Sequence, residues 1–206
     1  MSRVQIPSGP FAKMRIGIDL DGVAVDIMTP FIAFHNERYG SDFTYEGITE
    51  HQFWNPWGLT REEGNLRLLE FMDMNEFSVV KPQEGAIEAI RKLAEEHELI
   101  VVTSRPDSYT EKTLEWIEYY LPGVFSRVLF THQISSEEKF KKKAICSAEK
   151  IEVLIEDFDW NVLSCADVCK KIIVFDQPWN KGAELPENAV RVMSWEEVLN
   201  IVGEMW

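Results

Sequence analysis

Five short runs rich in branched apolar residues constrain this chain more than any other feature. They are Ile16-Gly17-Ile18, Leu99-Ile100-Val101-Val102, Val128-Leu129-Phe130, Ile151-Glu152-Val153-Leu154-Ile155 and Ile172-Ile173-Val174-Phe175. Each has the length of a strand, and none alternates apolar with polar along its whole course, the pattern of a parallel sheet covered on both faces. Between them lie segments with apolar residues at helical spacing. Pro82–Glu96 carries Ala86, Ile87, Ile90, Leu93 and Ala94 on one stripe, and helices are also expected over Tyr109–Leu121, Glu138–Lys150, Trp160–Cys169 and Ser194–Met205. Val190-Arg191-Val192 forms a short last strand. Strand–helix alternation of this kind predicts an α/β fold, a three-layer Rossmann-like parallel sheet.

One segment departs from the alternation. Ile27–Tyr39 reads as an amphipathic helix stopped by Gly40, and Thr60-Arg61-Glu62-Glu63 as a capping box opening another. Between and after them come Phe43, Tyr45, Phe53, Trp54, Trp57, Phe71 and Phe77, with no β-branched run fit for a central strand. Residues 27–80 are therefore expected to be a mostly helical insertion, and 14–26 with 81–206 the core. Residues 1–13 carry Pro7, Gly9 and Pro10 without an apolar stretch and are expected to be a flexible extension.

The polar residues fall where the strands end. The first strand runs into Asp19-Leu20-Asp21-Gly22, the second into Thr103-Ser104, and a later one into Glu156-Asp157. In a parallel sheet these ends share one edge, the edge at which open α/β sheets hold their ligands. Two acids spaced i, i+2 on a strand share a face and repel unless a cation or a proton lies between them. Asp-Gly is also a common hairpin turn, so the first motif alone leaves both readings open. Lys141-Lys142-Lys143 lies just before the Glu156-Asp157 strand and brings positive charge toward the same edge.

Composition excludes some partners. A formal charge of −14 argues against a nucleic-acid polymer, whose binding rests on basic residues, but not against a small phosphorylated ligand. No apolar run approaches the roughly 20 residues of a membrane span. The three cysteines cannot pair completely and match no metal knuckle, so buried thiols and a reducing, cytoplasmic location are expected.

These four motifs together resemble the haloacid dehalogenase-like phosphatases, from Arg15 to about Asn180. The insertion after the first strand fits that family's cap domain. Glu84-Gly85-Ala86, Thr103-Ser104-Arg105-Pro106, Ile155-Glu156-Asp157 with Asn161, and Gln177-Pro178-Trp179-Asn180 before Arg191-Val192 are similar to the cytosolic 5′(3′)-deoxyribonucleotidase (type C) branch. The resemblance implies a Mg²⁺ ion held by the Asp19 side chain, the Asp21 carbonyl and the Asp157 side chain. It implies Asp19 as nucleophile and Asp21 as acid and base. Thr103 and Ser104 would bind the phosphoryl oxygens, with Lys142 or Lys143 neutralising charge, and Glu156 and Asn161 would act from behind. Asp26 and Asp159 are expected to be structural.

The dehalogenase members of that superfamily lack an acid two residues after the nucleophile, so the resemblance, with Asp21 present, implies phosphoryl chemistry over carbon–halogen cleavage. A nucleoside monophosphate is the expected substrate, with a sugar phosphate or another small phosphoester, or a non-catalytic binding role, as alternatives. Phe31, Phe53, Trp54 and Trp57 could stack a base or form the insertion's own core. Arg105 and Trp179 could reach substrate or serve packing, and His132 follows a strand end. A homodimer is left open.

Overall fold

The computed structural model describes residues 13–74, 80–131 and 141–205; at Asp107 and Lys141 it describes only the backbone. The expected extension up to residue 12, Phe77, His132 and the first residues of the helix expected from Glu138 lie outside that set.

In chain order the strands are β1 (Arg15–Ile18), β2 (Val25–Asp26), β3 (Lys81–Pro82), β4 (Glu98–Thr103), β5 (Arg127–Phe130), β6 (Val153–Glu156), β7 (Lys171–Phe175) and β8 (Ala189–Val192). The helices are α1 (Met28–Tyr39), α2 (Arg61–Asp73), α3 (Ala86–Glu96), α4 (Thr110–Tyr120), α5 (Lys141–Glu149), α6 (Asp159–Cys165) and α7 (Trp195–Glu204). Six strands form one parallel sheet in the order β5-β4-β1-β6-β7-β8. The sheet is built outward from β1, where Ile16 pairs with Leu99 on one side and Val153 on the other. Connections run one way to β4 and β5, then return across β1 to β6, β7 and β8. That reversal makes the carboxyl end of β1 the topological switch point.

Side chains of the central strands divide by parity. Ile16, Ile18, Leu99, Val101, Val153, Ile155 and Ile173 join a core with residues of α3, α4 and α7. Ile100, Val102, Leu154, Ile172 and Val174 join a second core with Ile145, Cys146, Val162 and Cys165 of α5 and α6. Both faces are thus buried, as the uniformly apolar strands require. All three cysteines are buried free thiols.

Residues 27–80 leave the sheet through a two-stranded antiparallel ribbon, in which Val25 pairs with Pro82 and Asp26 with Lys81. Beyond it α1 packs against α2. Gly40 ends α1 in the left-handed conformation (φ 65°), and Thr60 opens α2 with a reciprocal capping box to Glu63. A Cβ on Gly64 would lie 2.6 Å from Trp54 Cβ, so only glycine lets that chain cross α2 so closely. The interior of this segment is aromatic: the Phe31 ring lies 5.3 Å from Phe53, 5.5 Å from Trp57 and 5.6 Å from Phe71.

Candidate active site

Where β1 ends, the Asp19 amide still donates to Ile155 O (3.0 Å), so the carboxylate leaves a strand locked to β6. The chain then turns sharply, with the Ala24 and Val25 amides both donating to Leu20 O at 2.8 Å. Gly22 makes that turn possible. Its φ is +79°, and a Cβ there would sit 2.2 Å from Asp157 Oδ2. Gln177 Nε2 donates to Gly22 O (2.7 Å) and Tyr45 donates to Gln177 Oε1 (2.7 Å), which fixes the turn from outside the sheet.

Lys142, in the first turn of α5, places its ammonium 2.9 Å from Asp19 Oδ1 and 2.6 Å from Glu156 Oε1, with its side chain 1% exposed. Lys143 points elsewhere and pairs with Asp167 at the surface. Glu156 also accepts from Asn161 Nδ2 (2.6 Å) and from the Asp157 and Phe158 amides (2.6 and 3.0 Å). Its oxygens are therefore already engaged by protein donors. Asp157 Oδ2 accepts from Trp179 Nε1 (3.0 Å), and its carbonyl from Asn180 Nδ2 (2.6 Å). Thr103, at the end of β4, is 1% exposed, and its hydroxyl accepts from the Arg105 amide (3.2 Å). Ser104 next to it is exposed.

Asp19, Glu156 and Asp157 offer carboxylate oxygens within 4.8 Å of one another, all buried. Burial pushes the Asp19 carboxyl up to about 7, against the pull of Lys142. Burial, with Glu156 and Asp19 nearby, raises Asp157 well above the usual carboxylate range. Glu156 goes the other way: burial opposes its charge, but Lys142 and the hydrogen bonds hold it low. Lys142 is held cationic by Asp19 and Glu156 although its burial works against it. One ammonium faces three carboxylates here, and the oxygen donors left over on Asp19 and Asp157 are those a hard divalent cation takes. The donor set fits Mg²⁺.

Of the other expected site residues, Asp21 lies beside the cluster, gripped by Arg105 rather than Lys142. Phe31 is fully buried and Trp57 is buried, both within the aromatic interior of residues 27–80, while Trp54 is half-buried. Sequence reasoning did not single out His51, whose ring stacks on Phe158 (centroids 3.5 Å, interplanar 18°) immediately after Asp157. No spacing signal marks that residue. The bracing by Trp179 and Asn180 was signalled by the Gln177–Asn180 stretch, although not in this role.

A six-stranded parallel sheet with buried carboxylates at its switch point fits the haloacid dehalogenase-like fold, and solved structures agree on that fold. A haloacid dehalogenase-like hydrolase from Streptococcus pneumoniae superposes with a TM-score of 0.67 at 13% identity, covering 92% of this chain and 98% of that one. The chain belongs to the family described as 5′ nucleotidase, deoxy (pyrimidine), cytosolic type C protein, whose profile matches residues 13–205. It is an enzyme of the phosphomonoester hydrolase class. "Putative nucleotidase BH1399" of Halalkalibacterium halodurans is 28% identical over 93% of this chain and 94% of its own length. The 5′(3′)-deoxyribonucleotidase of Bacillus subtilis is 27% identical over 90% and 96%.

Proposed function

We propose that the chain is a Mg²⁺-dependent phosphomonoesterase that hydrolyses a nucleoside monophosphate through a phosphorylated Asp19. The observation that carries this is Lys142 bridging Asp19 and Glu156 beside Asp157, with Thr103 on the neighbouring strand end. The Asp19 and Asp157 side chains and the Asp21 carbonyl would hold a Mg²⁺, which when bound would supply the positive charge that lets a carboxylate approach a phosphate dianion. Asp19 attacks phosphorus, and the bond to the ester oxygen breaks. Asp21 gives its proton to that leaving oxygen. A water then attacks phosphorus and gives its proton to Asp21, which releases inorganic phosphate and restores Asp19. Thr103, the Ser104 amide and Lys142 hold the phosphoryl oxygens. Glu156 and Asn161 keep Lys142 and the Asp157 loop in place.

Residues 27–80 serve as the cap over this edge, hinged on the β2–β3 ribbon. Of the aromatic candidates, Trp54 is the half-buried one and so keeps exposed ring surface that a base could meet. The burial of Phe31 and Trp57 favours a second reading, in which the substrate is a sugar phosphate or another small phosphoester. A panel of deoxy- and ribonucleoside monophosphates and sugar phosphates with Mg²⁺ separates the two. The first reading expects phosphate release fastest from a nucleotide. It is abandoned if a sugar phosphate is preferred or if Asp19→Asn releases phosphate as fast as wild type.

A further inference from the structure

The loop after β4 carries a second buried cation, separate from Lys142. Arg105 Nε donates to Asp21 Oδ2 (2.8 Å) and Arg105 Nη2 to Asp21 Oδ1 (2.6 Å), a fork that engages both carboxylate oxygens. The guanidinium is itself immobilised. Its side chain is 1% exposed, Nη1 donates to Thr113 Oγ1 of α4 (3.2 Å), and the Arg105 amide donates to Thr103 Oγ1 (3.2 Å). Asp21 differs: its side chain is 29% exposed and stands on the turn next to Gly22.

An aspartate on such a turn, half open to the cleft, has several staggered rotamers within reach. A two-point fork from a fixed guanidinium selects one of them and sets the carboxylate plane, which a lysine's point charge cannot do. A carboxylate has about four lone-pair sites, and the fork takes two, which leaves each oxygen a site for one further hydrogen bond. We propose that Arg105 is a positioning residue for Asp21, aiming its carboxyl group first at the leaving oxygen and then at the attacking water. This rests on the phosphomonoesterase reading above. Because Thr103 and Arg105 share one loop, the phosphoryl group and the acid–base group are placed by the same three residues.

Leaving-group dependence tests the proposal. Wild type, Asp21→Asn, Arg105→Lys, Arg105→Gln and Thr113→Val are assayed on p-nitrophenyl phosphate, whose leaving group needs no proton, and on an alkyl phosphomonoester, whose leaving group does. Intact mass after rapid quench follows the phosphoryl adduct on the enzyme. In the Arg105 variants kcat is expected to fall for the alkyl ester by about tenfold or more beyond its fall for the aryl ester. KM is expected to change by less than about threefold. The phosphoryl adduct accumulates with the aryl ester, because hydrolysis of the intermediate lacks a placed base. Thr113→Val moves in the same direction by a smaller factor and keeps the test informative if the Arg105 variants do not fold. An equal loss on both esters, or a rise in KM alone without adduct, overturns the proposal while leaving the phosphatase reading intact. Wild type hydrolysing neither ester removes the reading and the proposal together. Asp21→Asn retaining wild-type turnover on the alkyl ester removes the acid–base role of Asp21 and the proposal with it, while leaving the phosphatase reading intact.

Discussion

Gly22 carries two separate demands, and each can be measured. Its backbone sits at φ +79°, where a non-glycine residue costs about 1–3 kcal/mol. A methyl group there would also push Asp157 Oδ2 from its place. Gly22→Ala is therefore expected to lose at least that much stability in denaturant titration, and to lack the upward shift in Tm that Mg²⁺ is expected to give the wild type. A variant as stable as wild type with the Mg²⁺ shift retained would contradict this. Trp179 makes a narrower prediction. Its indole N–H is a donor to Asp157 Oδ2, so Trp179→Phe removes that hydrogen bond while keeping an aromatic ring, of smaller volume, at the buried position. Donors behind a metal ligand are typically worth 10–100-fold in affinity, and a loss of about that size is expected by calorimetric Mg²⁺ titration. Unchanged affinity would mean that the indole serves packing alone.

Among the helices, α1 and α2 are joined by a chain of polar groups inside an aromatic interior. Arg67 donates to His35 Nε2 (2.8 Å), so the ring proton lies on Nδ1 and is given to Ser41 Oγ (2.7 Å). Ser41 in turn donates to Asn36 (2.8 Å). Burial, and then the Arg67 charge, lower the His35 pKa below 6.5. The folded state thus holds fewer protons on His35 than the unfolded state as pH falls through 6.5. Its contribution to stability is complete above that value and is lost toward the lower folded pKa. His97 and His51 are lowered as well, so the informative quantity is a difference. Thermal unfolding at several pH values should show a shallower acid-side fall in His35→Gln than in wild type. Parallel curves would show that His35 does not titrate with unfolding.

Elements also show what the sequence could and could not reveal. The sheet was legible because both faces of its central strands are buried, so β1, β4, β6 and β7 are apolar between their ends, and the polar residues at those ends stood out against them. The β2–β3 ribbon was not, since two residues per strand make no pattern. α3 begins at Ala86 rather than Pro82, because Lys81-Pro82 pairs in that ribbon and Gly85 takes the left-handed conformation before the helix. By resemblance, the spacing to Cys146 favours Lys142, with Lys143 close behind; neighbours on a helix point about 100° apart, so only one can face Asp19, and it is Lys142. The Arg105–Asp21 fork spans 84 residues of sequence and left no local trace. The aromatic residues could not be divided between core and ligand until the packing of Phe31 against Phe53, Trp57 and Phe71 was visible.

At the scale of the whole molecule, two buried cations serve two groups of acids at one sheet edge. Lys142 compensates Asp19 and Glu156, while Arg105 pairs with Asp21. On the proposed reading, that division separates the nucleophile Asp19 from the acid–base group Asp21, although the two residues are only two positions apart in the chain. Residues 27–80 meet the core at this edge through His51 on Phe158 and Tyr45 on Gln177, so the proposed cap rests on the loops that hold Asp157. Among the described residues no helix is long and apolar enough to cross a membrane.

The central claim is that Asp19 forms a covalent bond to phosphorus. Rapid quench with a phosphomonoester and Mg²⁺, followed by peptide mass spectrometry of the Arg15–Val23 region, tests it most directly. The account predicts a phosphoryl group on Asp19 that decays with the kinetics of phosphate release and is absent in Asp19→Asn. Turnover without any acyl phosphate, or a phosphoryl group on another residue, would contradict it.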